Sequence, residues 1–156
     1  MKLIKWLLFA PIVLIGLGVL GTELHKAYWD SKVKALCEKE GGVTVFEVVT
    51  LTPSEYLRNK GKGGVVNVPP EKSPYANKFE FLQKRDRTSL NISNPEVWKT
   101  ETLIYRKSDN SILGKYITFT RRGGDFPTGI SHPSSFTCRD IEGFETGIIK
   151  KIFLIN

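Results

Sequence analysis

The chain has 156 residues, 40% of them hydrophobic and 25% charged, with a formal charge of +7 at neutral pH. That length holds one domain and enough apolar material for a core without metal support, so an array of domains and a disordered polyelectrolyte are both excluded. Two cysteines about 100 residues apart, Cys37 and Cys138, also fit no zinc pattern, which brings its ligands in close pairs.

The N-terminus opens with MKLIK and then runs from Trp6 to Thr22 without a charge. About 17 to 20 apolar residues at ~1.5 Å rise just cross a hydrocarbon layer of about 30 Å. We read residues 1–5 as a cytoplasmic tail, 6–22 as a transmembrane signal-anchor contacting the bilayer, and 23–40 as a membrane-proximal continuation of the same helix. A cleaved signal peptide is the alternative, with a weak small-residue site at Val19-Leu20-Gly21, and a buried soluble helix is the third reading. Leu24, Trp29, Val33 and Leu36 recur at near-helical spacing, and no Gly or Pro interrupts the stretch that carries them. Lysines flank the apolar run almost evenly. A very short N-terminal tail and a cysteine pair suited to an oxidising compartment then place residues 41–156 outside the cytoplasm. Tyr28 and Trp29 suit either an interfacial anchor or a helix face packed on the domain.

Gly41 and Gly42 end the helix. GVTVFEVVTL reads as a strand, and TPSEYLRNK as a short helix with Thr52 as its cap and proline in the first turn. GKGGVV lacks the spacing of a phosphate loop and reads as a turn. FEFLQ and TSLNI are short candidate strands separated by the charged KRDR. ETLIYRK and ILGKYITFTRR flank the turn-forming SDNS and predict a hairpin, with Leu103, Tyr105, Tyr116 and Phe119 as facing or core positions. GIIKKIFLIN is too short to span a membrane and reads as a final buried strand. The fold class is therefore α+β: one long N-terminal helix, a small and mostly antiparallel sheet, and one or two short helices.

RRGGDFPTGISHPSSFTC, residues 121–138, gathers the densest set of reactive side chains. A hydrolase reading takes Ser134 or Ser135 as nucleophile, His132 as base and Asp125 as orienter. There is no GxSxG elbow, and groups so close along a proline-bearing loop seldom reach triad geometry. A metal reading from His132, Cys138, Asp125 and His25 or Cys37 has too few ligands too far apart. We therefore expect no catalytic residue, no metal and no cofactor. The architectural reading gives Gly123 and Gly124 positive φ, ties Asp125 to backbone amides or to an arginine, and buries Phe126. Cys138 would pin the far end through a disulfide to Cys37, the usual fate of an even pair in an exported domain. A pinned loop also presents a surface, so Arg121, Arg122, Gly123, Gly124, Asp125, Phe126 and His132 form the candidate binding loop.

CEKEGGVTVFE, YRKSDNSILG, RRGGDFP and HPSSFTC together resemble a family of small, uncharacterised bacterial proteins with one N-terminal membrane segment and GGDFP and HPSSFxC motifs. The resemblance implies a bacterial source, a retained anchor or signal and paired cysteines, and it carries no catalytic assignment. Removing Lys2 and Lys5 from the formal charge leaves 7 − 2 = +5 on the exported part. Such a surface favours anionic partners. The expectation is a noncatalytic binding or structural module for a protein partner or an anionic envelope component, anchored in the bacterial inner membrane and facing the periplasm or the cell exterior. Nucleic acid is not expected, because the basic residues are scattered and the compartment is wrong. The rival readings are a hydrolase using His132 and a small exported effector or its immunity partner.

Overall fold

A computed structural model describes the chain apart from residues 1, 62–63 and 127–131, and it describes side chains of the N-terminal helix from residue 11 onward, apart from residue 12. Helix α1 runs unbroken from Lys2 to Glu40, about 58 Å at 1.5 Å per residue, with Pro11 inside it. Among the described residues no helix is long and apolar enough to cross a membrane. The first half of the expected span, residues 6–10 and 12, lies outside the described side chains. From Val13 to Leu20 the described apolar side chains stand exposed, consecutive ones included, and the Phe126 ring reaches this stretch at Gly18. The second half of α1 is amphipathic as its spacing predicts. Val33 and Cys37 are buried on the domain, with Trp29 and Leu36 beside them, while Leu24 and Tyr28 are exposed.

The sheet is built from β1 (Gly42–Val45), β3 (Phe81–Asn91), β4 (Glu96–Arg106), β5 (Ile112–Arg122) and β6 (Ser135–Thr137). Its order is β1-β5-β4-β3, all pairings are antiparallel, and β6 adds to β5 beyond the end of β1. Alternation along the central β5 divides the molecule. Ile117 and Phe119 point to the α1 face and pack with Val97, Val33 and the cysteine pair, while Gly114, Tyr116 and Thr118 point to the opposite face. Full burial of each large apolar side chain is worth about 1.5–3 kcal/mol, so this seam holds α1 firmly on the sheet.

The opposite face is covered only at one end. There α3 (Ile148–Ile152) packs with Ile104, Leu113, Phe81 and the Val66–Val68 segment. Gly114 makes the approach possible, since a Cβ there would stand 2.7 Å from Ile152 Cδ1 and 3.0 Å from Thr44 O. The small helix α2 (Pro53–Asn59) carries the expected cap. Thr52 and Glu55 form a reciprocal capping box ahead of Pro53.

Four expectations need correction. GVTVFEVVTL is not one strand, because β1 ends at Val45 and residues 49–51 form a second strand in a different sheet. GIIKKIFLIN is not one strand. Lys150 and Lys151 interrupt the apolar run and leave Ile148, Ile149 and Ile152 on one helical face, and only Phe153–Ile155 continues as β7, parallel to β2 (Val49–Leu51) in a separate two-stranded sheet. KRDR does not break a strand, because β3 is continuous over 11 residues. Period two sends Lys84 and Asp86 to one face and Arg85 and Arg87 to the other, and both faces are solvated there. In the hairpin Phe119 is core, but Leu103 and Tyr105 are only half-buried and Ile104 takes the core position, next to a register shift between Ile104 and Tyr105.

Candidate functional site

Arg121 is the centre of the arginine-rich loop, and it is almost entirely buried, 2% exposed. Its place in β5 turns the side chain toward α1, where Nε donates to Asp30 Oδ1 at 2.5 Å and Nη2 to Asp30 Oδ2 at 3.5 Å. Nη1 donates to the Gly123 carbonyl and to Ser134 Oγ, the latter at 3.2 Å. One guanidinium thus clamps helix, strand end and returning loop.

The glycine pair turns the chain as expected, with φ of 86° at Gly123 and 87° at Gly124. A Cβ on Gly123 would meet Asn94 Oδ1 at 2.6 Å, and that same oxygen accepts from Gly124 N at 2.7 Å. The β3–β4 turn is therefore tied to the loop. Asp125 accepts from Ser134 N at 2.6 Å and lies 3.5 Å from Lys26 Nζ on α1. The Ser134 hydrogen bonds, then Lys26, hold the Asp125 carboxyl below the usual carboxylate range. Lys26 is raised, first by its hydrogen bond to Glu23 and secondarily by Asp125. The Phe126 ring reaches α1, with Cε2 3.2 Å from where a Cβ of Gly18 would be.

At the other end Cys138 is bonded to Cys37, as expected, with Cα atoms 5.5 Å apart and a sequence separation of 101. Cys138 Sγ also accepts from Phe119 N. A 3₁₀ turn, Cys138–Asp140, follows and projects Arg139.

These contacts do not assemble a triad. Ser134 Oγ faces Arg121 rather than a base, Asp125 is occupied by a backbone amide and Lys26, and Ser135 and His132 are exposed. His25 accepts from Trp29 Nε1 on the same helix. Among the described residues no three His, Cys, Asp or Glu side chains converge as a metal site would need. Of the candidate binding loop, Arg121 and Gly124 are buried, Gly123, Asp125 and Phe126 are partly covered, and Arg122 and His132 face solvent. Arg122 lines a shallow cleft with Asn94 and Pro133.

The larger concavity lies elsewhere, on the uncovered half of the face opposite α1. It is a groove of about 590 Å³ whose floor is a threonine field, Thr100 and Thr102 on β4, Thr118 and Thr120 on β5, and Thr137 on β6. Arg85, Arg87 and Arg139 stand at its sides, and no carboxylate lines it. The register aligns Arg87 with Thr100 and Thr118, and Arg85 with Thr102 and Tyr116. Arg87 stacks 3.5 Å above the Trp98 ring. Thr137 Oγ1 lies 3.3 Å from both Thr118 Oγ1 and Thr120 Oγ1 and donates to Phe119 O at 3.1 Å. The Tyr116 hydroxyl is buried with no hydrogen-bond partner among the described residues.

Residue-by-residue reading of the sequence misses this groove. The signal was present as three period-two words, RDR at 85–87, TET at 100–102 and TFT at 118–120, which put like side chains on one sheet face. Comparison with family models, with curated proteins and with solved structures finds no match.

Proposed function

We propose that the protein is a noncatalytic, single-pass module of the bacterial inner membrane, held by residues 6–22, whose periplasmic domain binds an anionic component of the envelope. The observation that carries this reading is the continuity of α1. One unbroken helix joins the charge-free stretch to the domain core, and its described apolar side chains from Val13 to Leu20 stand largely exposed. A helix that exposes apolar side chains in succession is costly in water and ordinary in lipid.

The loop supports the same orientation. Phe126 packs at Gly18 and Asn94 holds the glycine pair, so the β3–β4 turn lies beside the membrane end of α1. That turn carries Leu90 and Ile92, the latter 87% exposed. Phe126, Leu90 and Ile92 would then rest at the lipid surface.

The test is topological. A reporter fused after Asn156 is expected to be active only in the exported compartment, and the intact chain is expected to stay in the membrane pellet through alkaline carbonate extraction. Release of a species shortened by about 21 residues, the length a cleaved leader would have, refutes the anchor.

A further inference from the structure

We infer that the groove opposite α1 is a binding site for an acidic saccharide, one whose sugar rings carry phosphate or carboxylate groups. The inference rests on the reading of the protein as an envelope module and gives its ligand a chemistry. Three guanidinium groups border the groove, no carboxylate lines it, and no ion pair to Arg85, Arg87 or Arg139 occurs among the described residues. Arginine is the side chain suited to bidentate recognition of phosphate and carboxylate. Outside the groove, Arg58 and Arg122 also form no ion pair among the described residues, while two arginines are paired. Arg106 bonds Glu47 and Asp109, and Arg121 bonds Asp30. The groove therefore holds a concentration of unneutralised positive charge on a sheet face.

The floor selects among anions. Threonine hydroxyls and the Tyr116 hydroxyl provide both donors and acceptors, as sugar hydroxyls require, whereas a bare phosphate needs donors alone. The Tyr116 hydroxyl is buried without a partner among the described residues, and a polar group in that condition needs one, from water or from a ligand. Apolar lining is confined to one end of the groove, where Val66, Val68, Ile104, Ile148 and Ile149 stand, and the threonines and arginines line the rest. Stacked nucleobases would need a free aromatic ring, and Arg87 occupies a face of Trp98. The groove volume of about 590 Å³ falls among small-ligand sites of roughly 300–1,000 Å³.

The experiment uses the full chain in nonionic detergent and measures equilibrium binding of tetragalacturonate, of a phosphorylated mannose oligosaccharide and of neutral maltotetraose. Saturable binding of at least one acidic saccharide and none of maltotetraose is expected, and the two acidic probes identify which anion is recognised. The Arg85→Gln/Arg139→Gln variant is expected to bind about tenfold or more weakly, and Tyr116→Phe several-fold more weakly. Lys34→Gln/Lys39→Gln removes the same charge from the α1 side and should bind as the parent does. Equal weakening in the two double variants would reduce the effect to net charge and overturn the site. So would failure of both acidic saccharides, or binding confined to anionic lipid vesicles or to a phosphopeptide. Carbonate extraction of the same variants reads the membrane anchor separately. A parent chain that binds neither acidic saccharide but keeps its anchor refutes the groove alone, and release of the parent chain that still binds refutes the tether alone.

Discussion

Replacing Asp30 by alanine tests the clamp that holds the loop to α1. Arg121 is 2% exposed and loses its carboxylate partner, keeping among the described residues the Gly123 carbonyl and the Ser134 hydroxyl. Stranding one partner of a buried pair costs about 3–5 kcal/mol. Asp30 is itself 29% exposed, so water reaches the vacated position and the expected cost falls to about 2–3 kcal/mol. For a chain of this size that lowers Tm by about 5–12 °C. Tryptophan fluorescence in nonionic detergent reads the transition, since Trp29 lies one residue from the clamp. A second substitution separates a stranded charge from a lost attraction. Arg121→Met removes the guanidinium, so Asp30→Ala/Arg121→Met is expected to be more stable than Asp30→Ala alone. An Asp30→Ala protein within about 0.5 kcal/mol of the parent, the range of an ordinary surface change, would refute the clamp.

Gly123→Ala puts a methyl group 2.6 Å from Asn94 Oδ1 at a φ of 86°, and a loss of about 1–3 kcal/mol is expected by thermal unfolding. Cys138→Ser opens a covalent loop closed across a sequence separation of 101 and is expected to cost about 2–5 kcal/mol, while thiol-blocked parent protein should run on nonreducing gels with no free cysteine. The folded Asp125 carboxyl titrates below its unfolded value, so its contribution is complete above the usual carboxylate range and is lost as pH falls through the folded value. Asp125→Asn should accordingly flatten the acid limb of the stability curve. His132→Ala should leave Tm unchanged, and no hydrolase assay should depend on that ring.

The sequence reads well where one local rule decides the outcome. Thr52, Pro53 and Glu55 dictate a helix start by cap chemistry alone, and SDNS dictates a hairpin because its turn residues separate two β-rich runs. It reads poorly where partners lie far apart in the chain. Asp30 and Arg121 are 91 residues apart, and nothing at either position announces the other. KRDR was misleading because charge density resembles a loop unless the alternation is followed to both faces of the sheet. The same alternation hides the groove, whose members come from four elements and meet only once the register is set.

The disulfide connects the two faces that the sheet otherwise separates. Cys37 lies on α1, and Cys138 opens the turn that carries Arg139 to the groove. Thr137, one residue earlier, joins the threonine field, and Phe119 beneath it receives α1 on its other side. The chain from α1 to the groove wall is thus a covalent bond followed by one turn. Reduction of that bond frees the turn and is expected to loosen Arg139 before β3, β4 and β5 separate. The β3–β5 ladder holds Arg85, Arg87 and four of the five threonines without help from the cysteines. Exposure of the arginine-rich wall to the oxidising side of a membrane would therefore keep the groove complete, and a reducing compartment would leave it with two of its three arginines in place.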